Sequence, residues 1–402
     1  KNIILCAATG SGKTIMFTYI AQQHIKKGGR VLVLTHRSEL LTQSNGTFEK
    51  FGLEAELINA SSKPDLSKPL HVAMIETLNN RKEDYSIFLD SRTLIIIDEA
   101  HINNFTKIFD SINKNTIVIG ATATPYRKGK KVPSLEDFYT DLIQDLDTID
   151  LINKGFLVTS KTYGVKIDLS QTKKKGEDYD TSAYYEENKT YKGVVKNWLK
   201  YAKKTKTILF ASNVESSKEV CQEFINNGFE ARHIDGKTPK EERKKTLEWF
   251  DKTPDAIICN CGILNAGFDQ PDIKTVILYR ATTSLPLFLQ MCGRGSRLAE
   301  NKTHFNILDF GNNIRRLGFW EDRRFWSLKK DTKPNKKEDA MSVRECTNCG
   351  AMMPSNTKLC NYCGTEAKLT PKEKEDEQIA DLKLLRRAEV LNFAAVQNNQ
   401  ML

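Results

Sequence analysis

AATGSGKT, residues 7–14, stands between the apolar run Ile3–Ala7 and a stretch with helical patterning. Glycines in such a loop let backbone N–H groups turn toward phosphate oxygens, and the dipole of the following helix adds to the attraction. By this pattern Lys13 reaches the β- and γ-phosphates of a nucleotide and Thr14 binds Mg²⁺. A chance glycine-rich turn is the alternative. We predict a phosphate-binding loop, with contacts to nucleotide from Thr9, Gly10, Ser11, Gly12, Lys13 and Thr14.

A pair of carboxylates follows the apolar run Leu94–Ile97, in the sequence Asp98-Glu99-Ala100-His101. A buried strand that ends in two carboxylates is the expected partner of a phosphate loop. Asp98 would hold Mg²⁺, directly or through water, and Glu99 would orient and deprotonate the attacking water. A surface Asp-Glu pair is common by itself, but together with residues 7–14 it predicts an ATP site.

Apolar runs alternate with helical patterns twice along the chain, on either side of a polar, lysine-rich stretch at residues 127–206. Fully apolar strands between helices predict parallel sheets covered on both faces. We therefore predict an α/β fold with two similar domains, at residues 1–150 and 151–312. The predicted strands are Ile3–Ala7, Val31–Thr35, His71–Ile75, Thr93–Asp98, Thr116–Gly120, Thr207–Ala211, Glu230–Ile234, Ala256–Asn260, Thr275–Tyr279 and Thr303–Leu308. The predicted helices include Asp137–Lys154, Tyr191–Lys204, Ser216–Asn226, Pro239–Phe250 and Pro371–Ala395.

The composition is typical of a globular protein, since 39% of the 402 residues are hydrophobic and 28% are charged. There is no run of eighteen apolar residues and no signal peptide, so we expect no membrane partner and a cytoplasmic location. The chain starts at Lys1, directly before a predicted strand, and we expect a further segment upstream of it.

The chain is basic, with a formal net charge of +10. Such a charge favours a polyanionic partner, because its field raises the local concentration and the association rate of the partner. A lysine-rich composition without such a partner is the alternative. Charge alone therefore only favours nucleic acid.

Taken in order, the motifs resemble those of superfamily 2 helicases of the DEAH type, over about residues 1–312. THRSEL at residues 35–40 is similar to motif Ia, Thr77 falls where motif Ib is expected, and GATATP at residues 120–125 is similar to motif III. The resemblance implies two tandem RecA-like P-loop NTPase domains with parallel sheets, which use ATP and Mg²⁺ and bind nucleic acid. It also implies that Thr35, Arg37 and Thr77 contact the nucleic acid.

QMCGRGSR at residues 290–297 resembles motif VI of the same family. Arg294 and Arg297 are three residues apart, so they can face the same way on a helical turn. The resemblance implies that both, together with Gln290, face phosphates bound on the first domain. An arginine in that role contributes about 10³–10⁵ in rate. A solvated basic turn is the alternative for an isolated R-x-x-R.

Residues 260–272 resemble motif V, with the core Gly267-Phe268-Asp269-Gln270-Pro271. The resemblance implies that Gly267 and Asp269 lie near the nucleotide and that Asn260 lies near the backbone of the bound strand. Asn265 and Ala266 depart from the Thr-Glu that is commoner in the family.

Four of the nine cysteines form two C-x-x-C-G turns within residues 345–366. Each turn directs two thiolates to one point, and two turns complete a tetrahedral site. Disulfides would be unusual in the cytoplasm and are the alternative, with iron a further one. We predict a small C-terminal zinc ribbon that binds structural Zn²⁺ through Cys346, Cys349, Cys360 and Cys363.

A helicase core followed by a four-cysteine ribbon also resembles the bacterial DNA-repair helicases of the RadD type. The resemblance implies a role in repair or recombination, and a ribbon that binds nucleic acid or a repair or replication protein. Residues 313–344 form a basic linker with Trp320, Phe325 and Trp326, which either pack a C-terminal helix onto the second domain or stack on bases. Residues 367–402 are predicted to be a charged helical tail.

The function predicted is that of an ATP-dependent helicase or translocase, with DNA favoured over RNA as the partner. Three alternatives stay open: an RNA helicase, a translocase subunit of a restriction or remodelling assembly, and an ATP-gated clamp that holds nucleic acid without moving along it.

Overall fold

The chain divides into two compact units, and each has its own sheet and its own hydrophobic core. Unit 1 consists of residues 1–151 and 323–333, and unit 2 of residues 152–322 and 334–402. The computed structural model describes residues 1–36, 46–127, 132–144, 146–164, 172–176, 178–181, 190–265, 268–329, 343–345, 348, 352–354, 359, 364–366 and 383–385.

Unit 1 is built on a seven-stranded sheet. Its elements are β1 (Asn2–Cys6), α1 (Lys13–Lys26), β2 (Val31–Thr35), β3 (Glu56–Ile58), β4 (Leu70–Met74), α2 (Ile75–Asn80), α3 (Ser86–Asp90), β5 (Leu94–Asp98), a 3-10 helix (Asn103–Asp110), β6 (Ile117–Thr122), β7 (Asp141–Gln144) and α4 (Thr148–Asn153). The strand order is β3-β4-β2-β5-β6-β1-β7, and all neighbouring strands are parallel.

Alternation along the central strands explains why both faces of this sheet are covered. In β5, Ile95 and Ile97 belong to one hydrophobic cluster, whereas Leu94 and Ile96 belong to another. Successive side chains of a strand point to opposite faces, so the two clusters are the two faces of the sheet. The parallel arrangement places the carboxyl ends of β1, β5 and β6 along one edge.

Unit 2 contains a second seven-stranded sheet. Its elements are β8 (Thr159–Gly164), β9 (Lys174–Lys175), β10 (Asp178–Tyr179), α5 (Thr190–Tyr201), β11 (Thr207–Ala211), α6 (Val214–Asn226), β12 (Ala231–Ile234), α7 (Lys240–Lys252), β13 (Ile257–Asn260), β14 (Thr275–Tyr279), α8 (Leu285–Gly293), β15 (His304–Asp309), α9 (Asn313–Leu317), β16 (Val343–Glu345), β17 (Met352–Pro354) and β18 (Lys383–Leu385). The strand order is β12-β13-β11-β14-β15-β8-β18, and only β18 runs antiparallel to its neighbour. Two short hairpins, β9–β10 and β16–β17, lie outside this sheet.

The α/β prediction is confirmed, and each of the ten predicted strands is present within two residues of its expected ends. Two helix predictions are wrong in part. Within Asp137–Lys154 the residues of β7 form an edge strand that pairs with β1, and only α4 is helical. Within Pro371–Ala395 the three described residues are β18, whose pairing with β8 replaces helical hydrogen bonds; the other residues of that stretch lie outside the described ones.

The aromatic residues of the predicted linker divide between the two units. Trp320 is buried in unit 2, with its ring 5.4 Å from that of Phe305 in an edge-to-face arrangement. Trp326 packs against the core of unit 1, whereas Phe325 is 93% exposed. Packing therefore accounts for both tryptophans. Among the described helices, none has the length and apolar character needed to cross a membrane.

Candidate nucleotide site

The predicted phosphate loop, residues 7–14, begins directly after β1, and its Lys13 and Thr14 are the first residues of α1. Gly10 and Gly12 have φ angles of 83° and 81°, in the left-handed region where a side chain would be strained. The Lys13 Nζ atom donates to the carbonyls of Ala7 at 3.1 Å and Ala8 at 3.2 Å. The Lys13 ammonium is therefore hydrogen-bonded to carbonyls of its own loop, and the oxygens of a bound phosphate could take the place of these carbonyls.

Asp98 and Glu99 follow directly at the carboxyl end of β5. Asp98 is only 8% exposed. Burial, followed by the negative charge of Glu99, raises the pKa of Asp98 well above its usual range, while Lys13 and a hydrogen bond from the Glu99 backbone N–H act in the opposite direction. A cation at this position would relieve the cost of the buried charge.

Glu99 has an unusual backbone, with a φ of 52° in a non-glycine residue. Such a conformation persists only where the surrounding structure imposes it. The turn after Glu99 is closed by the Ile102 N–H, which donates to the Glu99 carbonyl at 2.9 Å. The Ala100 N–H donates to the Ala121 carbonyl at 3.1 Å and ties the turn to β6.

A chain of polar groups links the Glu99 carboxylate to the end of β6. Glu99 Oε2 lies 3.4 Å from His101 Nδ1, and this nitrogen lies 2.8 Å from the hydroxyl of Thr122. The Thr122 hydroxyl in turn accepts from the Thr124 N–H at 3.1 Å. The predicted catalytic turn and the predicted motif III are therefore connected through side chains of unit 1.

The buried polar groups of unit 1 fit a nucleotide with its cation. Ser11 Oγ is buried and makes no hydrogen bond to another described residue, and Glu99 Oε2 is buried with the His101 imidazole in ion-pair range. Buried polar atoms are nearly always satisfied, so the Ser11 hydroxyl needs a partner that the described residues do not provide. With the carbonyl-bound Lys13, the half-buried Thr14 and the buried Asp98, the donor set fits a triphosphate and Mg²⁺.

The two arginines of the predicted motif VI are held by unit 2 itself. Arg294 is 9% exposed; its Nη2 donates to the Asn265 carbonyl at 2.7 Å, and its Nη1 donates to the Phe268 carbonyl. The Arg297 guanidinium forms an ion pair with Asp269. Gln290 is half-buried on α8, and Gly267 lies outside the described residues.

The same loop of unit 2 is braced by a buried lysine that sequence reasoning did not single out. Lys302 is 6% exposed, and its ammonium donates to the Pro271 carbonyl at 2.7 Å. Burial lowers the pKa of Lys302 to about 7, against the opposing charge of Asp272. Lys206 is also paired with Asp272, at 2.7 Å, so two buried lysines bind the neighbouring residues Pro271 and Asp272.

Two family models match this chain. Residues 1–127 match the family described as type III restriction enzyme, res subunit, and residues 190–299 match the helicase conserved C-terminal domain. A 51.5 kDa protein of a Lactococcus phage is 32% identical over 389 residues, which cover 95% of this chain and 82% of that protein. This chain is a superfamily 2 helicase.

A second relative is named ATP-dependent helicase IRC3, from Saccharomyces cerevisiae, and is 30% identical over 336 residues. The matched region covers 77% of this helicase but only 48% of the yeast protein, so the helicase spans about half of that relative. The helicase is an ATP-hydrolysing nucleic-acid motor. In fold it is also similar to the solved structure of the ATP-dependent type ISP restriction-modification enzyme LlaBIII bound to DNA, with a TM-score of 0.56, 17% identity and coverage of 76% of this chain and 26% of that one.

The predicted nucleic-acid contacts of the helicase are mostly buried. Thr35 is 1% exposed at the end of β2, and Thr77 is 9% exposed on α2. Asn260 is fully buried, and its amide donates to the Leu209 carbonyl at 2.8 Å, so its side chain braces β13 against β11. Arg37 lies outside the described residues. Burial leaves Thr35 and Asn260 no surface for a strand, and their assignment stays a prediction without structural support.

The four cysteines of the predicted zinc ribbon, Cys346, Cys349, Cys360 and Cys363, lie outside the described residues. Within the part of the chain that is described, no cluster of three or more His, Cys, Asp or Glu side chains could hold a metal ion. The ribbon and its Zn²⁺ therefore stay predictions from cysteine spacing.

Proposed function

We propose that this helicase uses ATP to unwind or move along DNA, in repair or recombination. The proposal is supported by the division of the predicted catalytic residues between two units. Lys13, Asp98 and Glu99 belong to unit 1, whereas Arg294 and Arg297 belong to unit 2. If hydrolysis needs both sets of residues, the two units must come together on bound ATP and separate when the products leave. A strand held by both units would then be displaced in each cycle.

The chemistry follows from what each side chain of the site can do. Thr14 and Asp98 would hold Mg²⁺, which neutralises charge on the phosphate oxygens. Lys13 exchanges its two carbonyl partners for phosphate oxygens. Glu99 accepts a proton from the attacking water, and Arg294 and Arg297 stabilise the charge that develops on the transferred phosphoryl group.

The preference for DNA over RNA is supported by the match of residues 1–127 to a restriction-enzyme family. The net charge of +10 suits either nucleic acid. Because these motifs do not separate the two sugars, RNA is the alternative that the experiment must exclude.

Translocation without unwinding, within a restriction or remodelling assembly, is the second candidate. The observation that favours it is the match of residues 1–127 to the res subunit of type III restriction enzymes. Displacement of a third strand from a triplex, without separation of a fluorescent duplex, would identify this candidate. Separation of the duplex would identify a helicase in the strict sense.

The deciding experiment measures ATP hydrolysis with forked, single-stranded and duplex DNA and with RNA. We expect DNA to stimulate hydrolysis and RNA not to, and Lys13→Ala to abolish it. Lys27→Ala is the matched control, because Lys27 is exposed just after the same helix. Stimulation by RNA alone would refute the DNA assignment, and hydrolysis without any nucleic-acid dependence would refute the motor.

The proposal also includes a RadD-like zinc ribbon at residues 345–366. We expect about one zinc per chain in purified protein. Cys349→Ser should lower the bound zinc and leave DNA-stimulated ATP hydrolysis unchanged. A purified chain without zinc would contradict the ribbon, and equal loss of zinc and hydrolysis would contradict its independence from the core.

A further inference from the structure

Arg127 is a buried arginine that the proposed chemistry does not use. It is 7% exposed and lies five residues beyond β6. Its Nε donates to the His101 carbonyl at 2.9 Å, and its Nη2 donates to the carbonyls of Ala100 at 2.9 Å and Ile102 at 3.2 Å. One guanidinium therefore binds three consecutive main-chain carbonyls.

These three carbonyls belong to the turn that directly follows Glu99. The backbone of Glu99 is left-handed, and the hydrogen bond from the Ile102 N–H to its carbonyl closes the turn. A strained turn needs external contacts to persist, and three hydrogen bonds to a single rigid group supply them. The Arg127 side chain also lies over the ring of Phe138, 5.7 Å from its centroid, so packing orients the guanidinium.

We propose that Arg127 is a positioning residue, which holds the left-handed turn after Glu99 so that the Glu99 carboxylate is placed to accept the proton of water. This inference rests on the role of Glu99 in the proposed function. Only the planar fork of arginine can reach carbonyls on successive residues with fixed angles, and a lysine ammonium cannot reproduce this geometry.

Arg92 provides a matched control within the same unit. It is 1% exposed, donates to the Phe88 carbonyl at 3.2 Å and lies over the Phe88 ring at 4.2 Å. Arg92 lies just before β5, and the turn that Arg127 binds lies just after β5. The two arginines are therefore at opposite ends of one strand. Both are buried arginines bonded to carbonyls, and only Arg127 contacts the turn after Glu99.

The test compares Arg127→Met and Arg127→Lys with Arg92→Met and Arg92→Lys in the full chain. All four should lower the urea midpoint of unfolding, because each removes buried hydrogen bonds.

We expect the Arg127 variants to lower kcat for DNA-stimulated ATP hydrolysis by about 10- to 100-fold, since a small misplacement of a catalytic group has effects of this size. The KM for ATP should change by less than about threefold, because Arg127 touches the turn and not the phosphate loop. The Arg92 variants should keep kcat per folded molecule. The lysine variants keep the comparison possible if a methionine variant does not fold.

A double-mutant cycle with Glu99→Gln separates positioning from a general loss of structure. If Arg127 acts through the Glu99 carboxylate, Arg127→Met should lower the residual kcat of Glu99→Gln by less than about threefold. Full additivity of the two losses would overturn the proposal, as would an Arg127 variant with the kcat of its Arg92 counterpart. If Glu99→Gln itself kept wild-type hydrolysis, the proposed function would fail first, and the two failures are thereby distinguishable.

Discussion

The two units prepare their functional side chains in opposite ways. In unit 1, Ser11 Oγ is buried and lacks a hydrogen-bond partner among the described residues, and Glu99 Oε2 is buried with only an ion-pair distance of 3.4 Å to His101. In unit 2, the outer nitrogens of Arg294 bind the carbonyls of Asn265 and Phe268, and Arg297 is paired with Asp269. The predicted phosphate loop of unit 1 therefore has an unsatisfied hydroxyl, whereas the outer nitrogens of Arg294 and the guanidinium of Arg297 are already bound by groups of unit 2.

This difference suggests a way in which hydrolysis can depend on whether the arginines of unit 2 have exchanged their partners for a phosphate. An arginine that must leave a carbonyl or a carboxylate before it binds a phosphate does so only when the phosphate offers a better partner. Arginine–phosphate pairs are charge-assisted and commonly bidentate, so the exchange is favourable when the phosphate is presented correctly. Under the proposed function, unit 1 binds ATP first, and hydrolysis waits until the arginines of unit 2 exchange their partners.

The largest effect expected within unit 1 is that of Glu99→Gln. Loss of the carboxylate removes the general base, and we expect kcat to fall by about 10²–10⁴-fold while ATP still binds. Steady-state hydrolysis and equilibrium binding of ATP measure the two quantities. Glu54→Gln, which changes an exposed residue of the same unit, should leave both unchanged. A variant that hydrolyses ATP at the wild-type rate would show that the predicted base is misassigned.

Lys302 allows a test of the loop that holds the arginines in unit 2. Its pKa of about 7 in the folded chain lies below that of an unfolded lysine, so above pH 7 the unfolded state binds more protons. The free energy of unfolding should therefore rise with pH between about 7.5 and 9, by up to about 1.4 kcal/mol per pH unit from this residue. Below pH 7 both states are protonated and this slope disappears.

Urea titrations at pH 7.5 and 9, followed by tryptophan fluorescence, measure this slope. Lys302→Met should remove it, whereas Lys252→Met, at an exposed position on α7, should retain it. Equal slopes in the wild type and in Lys302→Met would show that Lys302 keeps an ordinary pKa.

A smaller effect should distinguish the orphaned hydroxyl of unit 1 from a similar one in unit 2. Ser11→Ala removes a buried group without a partner and should raise the free energy of unfolding by about 1 kcal/mol in the absence of nucleotide. It should also weaken ATP binding. Ser212→Ala removes a comparable orphaned hydroxyl from unit 2 and should stabilise the chain without changing ATP affinity. Identical effects of both variants on ATP affinity would contradict the distinction.

The features that could be predicted from the sequence are those in which the type of side chain depends directly on its position in the fold. The strands β2 and β5 are apolar except for their last residues and are both entirely buried, and the predicted phosphate loop and carboxylate pair lie at the ends of β1 and β5. The edge strand β7 was missed, because its sequence DLIQ is only partly buried and its partner β1 lies more than 130 residues earlier in the chain.

The missed parts of the site depend on contacts that leave no pattern in the sequence. Arg127 lies 25–27 residues beyond the carbonyls that it binds, and a carbonyl acceptor does not constrain the side chain of its residue. The burial of Asn260 also depends on packing, because its amide binds the neighbouring strand β11; its contact with nucleic acid stays a prediction. The lowered pKa of Lys302 arises from burial, which charge patterns do not reveal.

Single-turnover hydrolysis of bound ATP by Arg297→Ala, in the presence of DNA, tests most directly whether unit 2 completes the site of unit 1. Arg297 is suited to this test because its contact with Asp269 is partly exposed, so its removal disturbs unit 2 less than removal of the buried Arg294. We predict that the rate falls by about 10³-fold or more while ATP affinity changes by less than about threefold. Hydrolysis at the wild-type rate would contradict the division of catalysis between the two units.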